Sequence, residues 1–149
     1  MWLANRPHVT PQQARAWYSQ VIAIPLAPKV RRFTGMVSRK AIENIHERLV
    51  LEHYNRLSHS LSRLIETHVE QQINDPTPFL ALIEQCEQVN ITTDEENHRV
   101  QEAAGDYNAA NIQLVEWESL STQDRAFLWQ KKLRGKVSNA SDYAPRPEA

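Results

Sequence analysis

Apolar residues recur every three or four positions along most of this chain, and the interruptions fall at Pro, Gly, Ser and Thr where helices begin and end. Behind Thr10-Pro11, an N-cap followed by a first-turn proline, Ala14, Trp17, Val21 and Ile24 keep a 3-4-3 spacing until Pro25 and Pro28 stop the run. Ser38 is a second N-cap, and nothing between Gly35 and Pro76 breaks the pattern. The spacing therefore predicts one long helix over residues 39–73, about 50 Å from end to end. Its core face gathers Ile42, Leu49, Val50, Leu57, Leu61 and Leu64 within about 100°. That stripe drifts rather than holding a heptad, so bundle packing is expected rather than a coiled coil, with Ser58-His59-Ser60 as a point of bending.

Asp75-Pro76-Thr77-Pro78 turns the chain into a third helix that presents Phe79, Leu82, Ile83, Cys86 and Val89. A fourth starts at Thr92 or Thr93, each with a glutamate three residues on to complete a capping box, and continues through Val100, Ala104, Tyr107, Asn111 and Leu114. Gly105 is its weak point. Ser121 and Asp124 cap a fifth, with Ala126, Trp129 and Leu133 on one face and Gly135 as the stop. Phe127 and Leu128 lie off that face, so this helix is expected to be covered on two sides. The fold class these elements predict is all-α: a single-domain bundle of about five helices joined by short loops. The domain spans residues 1–135, with a basic arm at 26–38 between helices one and two, and residues 136–149 are expected as a mobile tail.

Composition strengthens the helical reading. Three glycines in 149 residues leave few positions for the left-handed turns that hairpins need. The length is that of one domain with one core. A lone cysteine, Cys86, excludes an internal disulfide and a cysteine-based zinc site. It falls on an apolar stripe, where a thiol acts as a small hydrophobe. No apolar run approaches a membrane span and residues 1–7 lack the apolar centre of a signal peptide, so the expected compartment is the cytoplasm, with no membrane partner.

Charge changes the picture more. The overall balance of -1 conceals three blocks: residues 1–41 carry seven cations and no acid, residues 42–124 set sixteen acids against four arginines for -12, and residues 125–149 set six cations against two acids for +4. Within the first block, Lys29, Arg31, Arg32, Arg39 and Lys40 accompany Phe33 in twelve residues. Flexible cations next to the free amides of a helix N-terminus suit phosphate, and Phe33 suits stacking on a base or anchoring in a protein groove. The alternative use of the arm is to neutralise the acidic block of its own chain or of a second copy.

Other chemistry is sparser. Glu43…His46 and Glu95…His98 have the spacing of a di-iron carboxylate bundle. On ideal helices, however, Glu95 and His98 point away from Val100 toward solvent, and the first helix has no acid to bridge. No metal site and no cofactor are assigned. His46, His53 and His68 project to the leucine side of the long helix and form a candidate pH-sensitive core, while His59 points away. His46 and His53 stand about 10 Å apart on such a helix, too far to share one metal ion. Nucleotide-binding, hydrolase and metalloprotease motifs are absent, which argues against an enzyme. The function expected is that of a non-catalytic accessory or regulatory protein binding a macromolecular partner, with nucleic acid on the arm at 29–40 as its concrete form. The alternative is a protein-protein adaptor or inhibitor using the acidic central block, and a metal-binding bundle is the remote one. A long helix outrunning its neighbours also points to a homo-oligomer.

Overall fold

A computed structural model describes residues 7–17, 20–21, 24–54 and 57–146, with the side chains of Pro11, Ala27 and residues 57–60 outside that description. The expected roles of Leu57 and His59, and the reading of the first six residues, therefore lie outside the described residues.

The fold is not an all-α bundle. The described residues form helices and a four-stranded mixed sheet, an α/β arrangement. In chain order the elements are α1 (Pro11–Trp17), α2 (Ile24–Val30), β1 (Arg32–Ser38), α3 (Arg39–Glu43), β2 (Leu49–His53), α4 (Leu57–Glu70), α5 (Thr77–Cys86), β3 (Gln88–Thr93), α6 (Asp94–Glu102), β4 (Leu114–Glu116) and α7 (Thr122–Leu128). The sheet runs β2-β3-β1-β4, with β1 parallel to β3 and the two outer pairs antiparallel.

The correction has a local cause. Ser38 does cap a helix, its Oγ accepting from the Ala41 amide, but that helix is α3, which ends at Glu43. Leu49-Val50-Leu51-Glu52-His53 then pairs residue for residue with β3, from Leu49 against Thr93 to His53 against Val89. A short apolar run bearing valine satisfies the helical and the strand template alike, and the β-branched partner segment Val89-Asn90-Ile91-Thr92-Thr93 decides between them. The segment expected as a basic arm is equally ordered, its residues forming α2 and the central strand β1. Between Phe33 and Val37 four residues of β1 advance while β3 advances only from Val89 to Ile91, so β1 bulges there, and Gly35 at φ +85° supplies the conformation.

One face of the sheet, carrying Phe33, Val37, Leu49, Val89 and Ile91, packs on Trp117, Leu120, Leu128, Leu133 and Val137 from α7 and the turns around it. Burying each such side chain contributes about 1.5–3 kcal/mol. The opposite face is partly covered by α6, where Val100 joins Ala110 and Ile112. Helices α1, α4 and α5 make a separate apolar cluster of Ala14, Leu61, Ile65, Phe79 and Ile83. Several predicted caps hold: Thr10 and Gln13 bond reciprocally, Thr93 and Glu96 close a full capping box, and Ser121 accepts from the Asp124 amide. Residues 136–146, part of the expected tail, dock against β1 through Ser138, Asn139 and Tyr143. Ser138 donates its amide to the Arg31 carbonyl, and the Asn139 carboxamide bonds both the N–H and the C=O of Phe33.

Candidate functional site

The basic segment 29–40 is divided by the fold. Phe33 is buried at 2% exposure, with edge-on contacts to Trp117 and Tyr143, so its ring is core and is not presented to a base or a partner groove. That part of the expectation is corrected. Arg31 gives its Nε to Glu87 at 3.0 Å, and Lys40 stands 3.9 Å from Glu95. Lys29, Arg32 and Arg39 are exposed. The arm thus contributes three exposed cations rather than a continuous groove, and two of its charges meet acids of the central block.

The three histidines expected on one helix face are placed in three environments. His46 is exposed in the turn before β2, edge-on to Phe127. His53, on β2, shares the Glu87 carboxylate with Arg31 at 3.1 Å. Burial pushes the Glu87 carboxyl up, but the bonds and charges of His53 and Arg31 outweigh this and hold it below the usual carboxylate range. Only His68 is core, at 1% exposure with its Nδ1 unbonded, and burial pushes its imidazole down. Cys86 is buried in α5, and burial pushes its thiol up, which removes the thiolate needed for nucleophilic work. Among the described residues no three His, Cys, Asp or Glu side chains gather as metal ligands, and no helix is long and apolar enough to cross a membrane.

A second group of cations, among the described residues, lies elsewhere. The turn between α3 and β2 comes against the π-helical turn Trp129–Leu133, and the cleft between them, about 430 Å³, is lined by His46, Arg48, Lys131 and Lys132, with Ile45 and Phe127 as apolar wall. Glu47 is the acid on that lining. The Lys132 ammonium donates to the Leu49 carbonyl at the head of β2, which fixes it at the cleft. Burial, then the charges of Lys136 and Arg48, push Lys132 below the usual lysine range. Like charges held together in this way are relieved by an anion. Sequence reasoning missed the cluster because Arg48 sits inside the acidic block, far along the chain from Lys131 and Lys132. The Lys131-Lys132 pair was the one available signal.

Two buried carboxylates organise the opposite side of the sheet. Glu96 accepts from the Ser38 hydroxyl at 2.5 Å and from the Thr93 amide at 3.0 Å, tying the start of α3 to the start of α6. Glu52, at 2% exposure on β2, accepts from the Tyr107 hydroxyl, which accepts in turn from Asn90 Nδ2 at 2.8 Å, while Asn90 Oδ1 accepts from Thr34. Burial, followed by the bond to Glu52, pushes the Tyr107 phenol up, so it stays a donor throughout the physiological range. No family model, curated protein or solved structure matches this chain.

Proposed function

We propose that this protein is a non-catalytic accessory or regulatory factor that binds nucleic acid, with backbone phosphates seated in the cleft of Arg48, Lys131 and Lys132. The observation that carries the reading is Lys132: a partly buried ammonium, anchored to a main-chain carbonyl and crowded by Arg48 and Lys136, with its proton affinity lowered as a result. A phosphate entering the cleft reverses that penalty, so the charge crowding of the free protein becomes binding energy in the complex. The exposed Lys29, Arg32 and Arg39 of the original basic segment add longer-range attraction, which salt screens over about 8–10 Å. Phosphate contact of this kind fixes position without reading sequence.

The test is fluorescence anisotropy with labelled single- and double-stranded polynucleotide across a salt series. Affinity is expected to fall with salt, with a log-log slope of about -0.9 per phosphate neutralised on duplex and about -0.7 on single strands. The double change Arg48→Glu, Lys131→Glu, both exposed positions, is expected to weaken binding by more than about tenfold and to flatten that slope. Changing Lys29, Arg32 and Arg39 to Glu is expected to cost less. An absence of binding at low salt, or an unaltered slope in the cleft variant, refutes the proposal.

A further inference from the structure

We infer a second binding site, on the face of the sheet opposite the main core, that takes a neutral planar heterocycle with adjacent hydrogen-bond donor and acceptor, of the adenine type. Where β1 bulges, a cleft of about 410 Å³ opens over β1 and β3, within the range of small-molecule pockets. The polar residues along it are Gln85, Gln88, Asn90 and Thr34, three of them carboxamides. Met36, Leu114 and Tyr54 supply the rest. No lining side chain carries a charge, so a charged group buried there would lose its hydration without a counter-ion, and a neutral ligand is selected.

The carboxamides set the ligand's chemistry. Those of Gln85 and Gln88, on exposed and half-exposed positions, each offer an acceptor oxygen beside an NH₂ donor, the pairing that matches N7 and N6 of adenine. Asn90, 1% exposed and bonded at both ends of its carboxamide, forms the floor beneath them. Because Tyr107 donates to Glu52, its oxygen must accept from Asn90 Nδ2, and this fixes Asn90 Oδ1 toward Thr34. The buried carboxylate therefore gives the whole chain one direction, and the floor of the cleft is set before a ligand arrives. Thr34 and Met36 alternate with the core-facing Phe33 and Val37 and so line the opposite face, where the bulge lies. Tyr54, 56% exposed and edge-on to Tyr107 at 5.9 Å, leaves ring surface on which a flat ligand can stack.

Adenosine is the probe, because it lacks phosphate and so reports on this cleft independently of the basic one. Titrated into the full chain by calorimetry or ligand-observed NMR, it is expected to bind saturably, and ribose is expected not to compete. Gln85→Ala, on an exposed helical position, and Gln88→Ala, on a half-exposed strand position, are each expected to weaken binding roughly tenfold. Arg48→Glu with Lys131→Glu is expected to leave adenosine affinity unchanged. Displacement by a short oligoadenylate would mark a base within a strand as the occupant, and its failure would mark a free nucleoside; either upholds the site. No saturable adenosine binding, equal competition by ribose, indifference to both glutamine changes, or loss of adenosine binding in the basic-cleft variant overturns it.

Discussion

Asn139 joins the last described segment to the centre of the sheet through one side chain. Its Nδ2 donates to the Phe33 carbonyl and its Oδ1 accepts from the Phe33 amide, each at 2.9 Å, and it is 7% exposed. β4 pairs with β1 only at Met36–Ser38, so at Phe33 the carboxamide takes the place of a neighbouring strand. Asn139→Ala strands a buried donor and a buried acceptor and is expected to cost about 2–4 kcal/mol in urea-induced unfolding. Asn139→Asp is expected to be at least as harmful, since it sets a second acceptor against the Phe33 carbonyl. A loss under about 0.5 kcal/mol in the alanine variant would show that the clamp is dispensable.

The bulge in β1 is the element that most separates this fold from the bundle its spacing suggests. It needs a residue at positive φ, and Gly35 takes +85°. A Cβ there would also stand 3.2 Å from the Tyr143 hydroxyl of the final 3-10 turn, so the strand and the docked C-terminal segment press on the same atom. Gly35→Ala is therefore expected to destabilise by about 1–3 kcal/mol, read as a lowered thermal midpoint, and to weaken adenosine binding because Thr34 and Met36 flank the strained residue. An unchanged midpoint would show that the bulge relaxes without cost. The helices with stronger local codes behave as their sequences predict. α6 has its complete Thr93–Glu96 box and three acids in its first turn, which complement the helix dipole. The expected continuation beyond it stops where Ala104 and Gly105 take positive φ.

At the scale of the molecule, acid should lower stability over two successive pH ranges. The imidazole of His68 is pushed below its usual 6.5 by burial, so protonation favours the unfolded chain. Its contribution to stability is present above about pH 6.5 and is lost as pH falls from there through the folded-state value. Glu87 sits below its usual 4.5, so its share, present above that value, is lost at still lower pH. Urea midpoints measured between pH 7.5 and 4.5 are expected to decline, and His68→Leu should flatten the upper part of that decline; a profile flat in the parent protein would refute the assignment. The sequence by itself determined the helix starts at Thr10, Ser38, Thr93 and Ser121 and the segregation of charge into blocks, because caps and charge runs act within a few residues. Tertiary structure alone decided that Leu49–His53 and Arg32–Ser38 are strands, since an edge-poor apolar run becomes a strand only when a partner such as Gln88–Thr93 arrives to take its hydrogen bonds. It likewise turned Phe33 inward, dispersed the three histidines, and brought Arg48 to Lys132 and Glu52 to Tyr107. Those pairings join residues far apart in the chain, where no local spacing could register them.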